Sequence, residues 1–242
     1  MTIDTRLLSA VAASALLAIG LVGAGALIGG GVVNARVGDR TVQVRGLAER
    51  EVKADVAVLP LRFTRTGDDL GAVQAALDRD QATVRRFLAS QGYQPAEIEA
   101  GRLEVTDQQA QQYNSNWQGP RFILASTVSV RTTNVDRVQE TTRELDQLVR
   151  QGVVLQNFMG PSYIFTRLNE VRPAMIAEAT KAARSGAEQF AQDSGAQLAG
   201  IKSATQGSFE ILARDATPDG MGEASSVNKR VRVVTTVSYR LR

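Results

Sequence analysis

The segment TVQVRGLAEREVKADVAVLPLRFT, residues 41–64, alternates apolar and polar side chains, and a period of two is the signature of β-strand. Val42 and Val44 alternate with polar neighbours over residues 41–45, Gly46 reads as a break, and residues 51–66 read as a second, longer strand. There Val52, Ala54, Val56 and Val58 share one face, opposite Lys53 and Asp55. From Ala57 onward Leu59, Leu61 and Phe63 make the other face apolar too, which predicts a strand that starts exposed and enters a two-sided core. Pro60 has no N–H to give to a ladder, so it predicts a sheet edge or a bulge.

Downstream, Asp68 and Asp69 supply an N-cap for a helix to about residue 91, with Leu70, Val73, Leu77, Val84, Phe87 and Leu88 at helical spacing and Gly92 at its end. Residues 95–97 read as a connecting turn and residues 102–107 as a strand. Residues 108–118 are polar and rich in Gln and Asn, and carry Tyr113 and the single tryptophan, Trp117. They read as a loop whose two aromatics either form a contact surface or fold back onto a sheet. Another strand covers residues 122–132, and Asn134 caps a helix through residue 150 with Val135, Val138, Leu145, Leu148 and Val149 on one face. A strand at 157–166 leads into the most regular helix, capped by Asn169 and running to about residue 194, with Pro173 in its first turn. Met175, Ile176, Ala179, Ala182, Ala183, Ala187 and Phe190 give it a stripe of mostly small residues suited to close packing, and Gly195 is placed to end it.

Residues 200–213 and 229–241 read as the last strands, joined by a loop over 214–228. In the final strand Val231, Val233, Thr235, Val237, Tyr239 and Leu241 face one way, and Arg230, Arg232, Thr236, Ser238, Arg240 and Arg242 face the other. The order of elements predicts an α+β fold of mostly antiparallel sheets with three packing helices.

Upstream lies a different kind of sequence. Residues 7–33, 27 in a row, carry no charge; as a helix they would be about 40 Å long, more than the ~30 Å hydrocarbon core of a bilayer needs. Two readings compete: an uncleaved transmembrane signal-anchor, or a signal peptide with small-residue sites at Ala24-Gly25-Ala26 or Val33-Asn34-Ala35. The length favours the anchor, which makes residues 1–40 an anchoring segment with a short linker and residues 41–242 the folded domain. Arg36, Arg40 and Arg45 after the span would, by the count of positive charges alone, favour a cytoplasmic domain. Ala10, Ser14 and Ala18 share a helical stripe and Gly25 and Gly29 form G-x-x-x-G, either a helix-packing face or simply small residues filling an apolar span.

The composition excludes much chemistry. With no Cys and no His among 242 residues, disulfides, thiolate nucleophiles, His-based triads and the usual zinc ligand sets are impossible. No metal site, cofactor site or catalytic residue is predicted. A net charge of +3, with Lys and Arg interspersed among Asp and Glu and no interleaved aromatics, predicts no nucleic-acid partner. Gly29-Gly30-Gly31 lies inside the apolar span and is no phosphate cradle, and Ser185 near Lys181 fits an exposed helix turn better than a Ser–Lys nucleophile. The densest charged constellation is Arg45, Glu49, Arg50, Glu51, Lys53 and Asp55. A Lys–carboxylate catalytic group is conceivable there, but a solvated strand start or an intersubunit ion-pair belt explains the pattern without a supporting cluster elsewhere, so the six residues are assigned as a candidate assembly surface.

Three stretches together carry a family resemblance: VQVRGLAEREVKADVAVLPLRF at 42–63, SYIFTRLNEVRPAMIAEATKAARSGAEQFAQDSGAQLAGI at 162–201, and VRVVTTVSYRL at 231–241. In this order and spacing the chain resembles the SIMPL-domain family, and its GLAEREVKAD opening resembles the membrane-anchored branch, with Leu59 where that branch is expected to carry Trp, a packing change. The resemblance implies a bacterial inner-membrane protein whose domain lies in the periplasm, a homo-oligomer of ring-like or channel-like form, and a link to oxidative-stress defence. It supplies no catalytic residues. The expected function is therefore a non-enzymatic, self-assembling membrane-tethered protein, with a periplasmic binding or sensor module for a small molecule or envelope partner as the alternative.

Overall fold

The computed structural model describes residues 18, 20–27, 40–110, 118–215 and 224–242. From residue 40 onward these form β1 (Thr41–Lys53), β2 (Val56–Gly67), α1 (Leu70–Ser90), β3 (Ile98–Ala100), β4 (Glu104–Asp107), β5 (Phe122–Thr132), α2 (Val135–Arg143), α3 (Asp146–Arg150), β6 (Ser162–Ile164), α4 (Leu168–Asp193), β7 (Leu198–Gln206), β8 (Glu210–Ala213) and β9 (Asn228–Leu241). The class is α+β with antiparallel sheets. One sheet has the order β1-β9-β7 with β8 also on β9; the other has the order β3-β5-β2-β6 with β4 also on β5. Two units can be distinguished, residues 1–48, 174–208 and 233–242, and residues 49–173 and 209–232.

In the second unit β2 and β5 pair from Ala57↔Thr132 to Gly67↔Phe122. Ala57, Leu59, Leu61 and Phe63 meet Leu124, Val128 and Val130 in a core completed by Val73, Leu77, Val84, Phe87 and Leu88 of α1. The helical period had placed Leu70 with them, but it is exposed. The intervening β2 residues Val56, Val58, Arg62 and Thr64 are half-buried and Pro60 is exposed, so β2 enters a one-sided core, not the predicted two-sided one. The reason is the corner at Ala54 and Asp55, which ends β1 and resets the alternation before β2 begins. Pro60 fits an interior strand because of a gap. Arg62 O accepts from Gln156 N and Thr64 N donates to Val154 O on the side away from β5, while β6 pairs only with Val56–Val58. Pro60 shares the parity of Arg62 and Thr64, so its missing N–H falls between those two partners.

Arg65 ties this unit together: Nε and Nη2 donate to the buried Asp80 at 2.5 and 2.8 Å, and Nη2 also donates to Gly152 O at 2.7 Å. The helix predicted over 134–150 is two helices, because Glu144 N turns back onto Thr141 O and closes α2, and Val149 is left exposed. Among the described residues from 40 onward there are four α-helices where three were expected. The strand predicted at 157–166 shrinks to β6, since Asn157 (φ 50°) and Gly160 (φ 87°) turn the chain out of extended geometry.

In the first unit the alternation read from the final strand is present: Val233, Thr235, Val237 and Tyr239 of β9 are buried and the residues between them half-buried. α4 buries Met175, Ala179, Ala183, Ala187 and Ala191, a strict i, i+4 row. Phe190, one position off that row, is exposed. Gly46 does not break β1. A Cβ there would stand 1.8 Å from Ala179 O and 2.5 Å from Ala183 N, so glycine is what lets α4 lie against the strand. Pro173 lies inside α4, not in its first turn, because the helix begins at Leu168. Gly195 takes the left-handed conformation (φ 69°) expected after the helix end. The strand predicted over 200–213 is two strands, β7 and β8.

No helix among the described residues is long and apolar enough to cross a membrane. The span 7–33 lies mostly outside those residues, and the part described, residues 18 and 20–27, is helical and exposed.

Candidate functional site

The six residues assigned to the assembly surface lie on β1 and the corner that joins it to β2. Arg45 belongs to the first unit and Glu49, Arg50, Glu51, Lys53 and Asp55 to the second. β1 is a terminal strand: β9 borders it on one side, and no described strand borders it on the other. Because Val42, Gly46 and Ala48 point into the core, Arg45 is forced outward by the pleat, and Glu49, Arg50 and Glu51 are exposed beyond it. Glu49 Oε1 lies 3.7 Å from Arg232 Nε on β9.

At the corner the charges turn inward on partners. Ala54 N donates to Val227 O and Asp55 N to Ile164 O, which fixes the backbone. The Asp55 carboxylate accepts from Thr166 N at 2.7 Å, from Thr166 Oγ1 at 2.8 Å and from Arg167 Nε at 3.2 Å. Burial pushes its pKa up, but the Thr166 hydrogen bonds and the Arg167 charge outweigh that and hold it below the ordinary value. Lys53 Nζ sits 2.7 Å from both carboxylate oxygens of Asp136, in the first turn of α2. Lys53, Asp55, Val56, Asn134, Asp136 and Arg167 line an open cleft of about 580 Å³.

A carboxylate with three donors and a lowered pKa stays ionised at neutral pH, so Asp55 is a poor proton carrier and a good anchor. Its partners Thr166 and Arg167, 111 and 112 residues away, carry no local pattern that would reveal them. Asp136 does have a signal: it follows the Asn134 cap, where an acidic side chain favours a helix start. Among the described residues no three acidic side chains group closely enough to hold a metal ion. Tyr113, Trp117 and Gly29 lie outside the described residues. Gly25 lies in the exposed helical residues 20–27, with open space where a Cβ would be.

Two antiparallel sheets, a long Ala-seated helix and a charged terminal strand that ends in a bonded corner at Lys53 and Asp55 define an α+β protein. The SIMPL family model, described as a protein of unknown function (DUF541), matches residues 42–239, from the start of β1 to near the end of β9, and the chain belongs to that family. No curated protein matches it.

Proposed function

We propose that this SIMPL protein is a non-enzymatic, membrane-tethered component of the bacterial envelope that assembles with copies of itself, its folded part on the periplasmic side. The observation that carries self-assembly is β1: a 13-residue terminal strand whose outer edge meets no described strand and whose Arg45, Glu49, Arg50 and Glu51 are exposed. The tether is supported by the 27 uncharged residues at 7–33, and placement in the membrane-anchored branch by the GLAEREVKAD opening. The non-enzymatic reading is supported by the engagement of Lys53 and Asp55 with fixed partners. A ring-like or channel-like form and a part in oxidative-stress defence belong to the same proposal and come from the family resemblance.

Light scattering of the detergent-extracted full chain tests it. The expected protein mass is a multiple of the 26.0 kDa chain, and a monomer at high concentration would sink self-assembly. The second reading, a binding or sensor module, is favoured by the cleft at the β1–β2 corner. Thermal-shift screening of the full chain against small carboxylates and amino acids tests it; a ligand whose stabilisation is lost in Lys53→Ala supports it, and no shift with any of them counts against it.

A further inference from the structure

We propose that the sheet of the first unit continues from one copy of the chain into the next, with β7 of one copy lying in parallel beside β1 of its neighbour. This junction presupposes the self-assembly proposed above and assigns its surfaces. In the order β1-β9-β7 both outer strands are open among the described residues. A terminal strand presents a row of N–H and C=O groups without a ladder partner, which is a template for another strand. β7 is exposed on both faces from Gly200 to Gln206 and contains no proline. Its pairing to β9 is irregular between Leu198 and Ser203 and regular from Ser203 to Gln206, so the latter is the stretch shaped to accept a strand.

The two open edges match in direction. β7 is antiparallel to β9. So is β1, since Leu241 N donates to Arg40 O at one end and Arg232 lies against Glu49 at the other. β1 and β7 therefore point the same way, and copies related by rotation about an axis along the strands bring β7 of one beside β1 of the next. Such a contact is heterologous: every copy uses one edge of each kind, and the series ends only when it closes on itself.

The occupant is a second copy on the tether proposed above. The apolar span ends at Val33, and the chain from there reaches at most about 25 Å before Arg40, which is bonded to the end of β9. Copies tethered from the same side of one bilayer and related by rotation about its normal share one orientation and one height, as the parallel junction requires. An antiparallel pair of two β7 strands needs one copy reversed along the strand direction.

A common height also fixes the register. Counting from Arg40 beside Leu241, Gln43 is level with Ser238, the β9 partner of Ser203, and Arg45 is level with Thr236, the partner of Thr205. Gln43 of one copy then meets Ser203 of the next on the face opposite the buried Val237 and Tyr239. Neighbouring strands lie about 4.8 Å apart, within reach of a disulfide.

The chain has no cysteine, so the test is clean. Full-length Gln43→Cys and Ser203→Cys proteins are extracted in detergent, mixed and oxidised, with Gln43→Cys plus Ser185→Cys, a position on the exposed face of α4, as the control pair. The expected result is a non-reducing band at twice 26.0 kDa that forms in the mixture, is far weaker in the control, and is absent from either variant alone. An oligomeric mass with no cross-link above the control overturns the junction and leaves self-assembly standing. A cross-link formed by Gln43→Cys alone means β1 meets β1 and also overturns it. A monomeric mass overturns both.

Discussion

Helices α1 and α4 each cover a sheet, and they do it by opposite means. α1 buries Val73, Leu77, Val84, Phe87 and Leu88, large side chains that fill the space above β2 and β5. α4 buries Met175 and then only alanines, at 179, 183, 187 and 191. The first helix is held by the apolar area it removes from water. The second is held by proximity, which is possible only because Gly46 presents bare backbone to Ala179 and Ala183. A helix seated on large side chains suffers when atoms are removed; one seated on alanines suffers when atoms are added.

The largest effect should come from Gly46→Val. The new Cβ would meet Ala179 O and Ala183 N, backbone atoms that cannot step aside as a flexible side chain can. The expected loss exceeds about 4 kcal/mol, read as the absence of a cooperative thermal transition by circular dichroism. A variant that melts like the parent would show that α4 does not sit as close as described. Next come two substitutions of opposite sense. Leu77→Ala, at a fully enclosed position of α1, should cost about 3 kcal/mol by leaving a cavity. Ala183→Leu, equally enclosed on α4, should cost about 2 kcal/mol by overpacking. Denaturant titrations of both measure them. If Ala183→Leu were neutral while Leu77→Ala behaved as expected, α4 would have slack and the contrast between the helices would fail.

That contrast also explains what could be read from the sequence. α1 and β9 were legible because large apolar residues recur at 3.6 or 2 positions and so announce the buried face. The Ala row of α4 was legible as a close-packing stripe, but Phe190 was drawn into it, since an aromatic residue one position off an i, i+4 row looks apolar whichever way it points. Gly46 was misread because a glycine that ends a strand and a glycine that admits a helix look the same until the helix is placed. The corner at Ala54 and Asp55 was invisible for a related reason: neither residue is Gly or Pro, and what bends the chain there is bonding to Val227 and Ile164, remote in sequence. The charged cluster was legible as a cluster, while its division into an exposed edge on β1 and a bonded corner at Lys53 and Asp55 depends on Asp136, Thr166 and Arg167.

The smallest effect concerns that corner, and it separates charge from shape as ways of holding the residues that lead into α4. Asp55 holds Thr166 and Arg167, the residues that lead into the helix, while Gly46 admits its middle. The folded-state pKa of Asp55 lies below the ordinary 3.8, so folding favours the ionised form. Its contribution to stability is therefore fully present at pH values above 3.8 and is lost as the pH falls below 3.8 through the folded value. Asp55→Asn keeps an acceptor for Thr166 N–H but forfeits the charge and the second acceptor oxygen, and should cost about 1 kcal/mol at pH 7. In acid, where the wild-type carboxyl is itself protonated, the two proteins should converge, as measured by denaturant midpoints across a pH series. Ala183→Leu, a steric change with no titrating group, should keep its full cost over the same series. A deficit in Asp55→Asn that did not shrink in acid would mean the corner is held by shape alone, and that charge has no part in placing the start of α4.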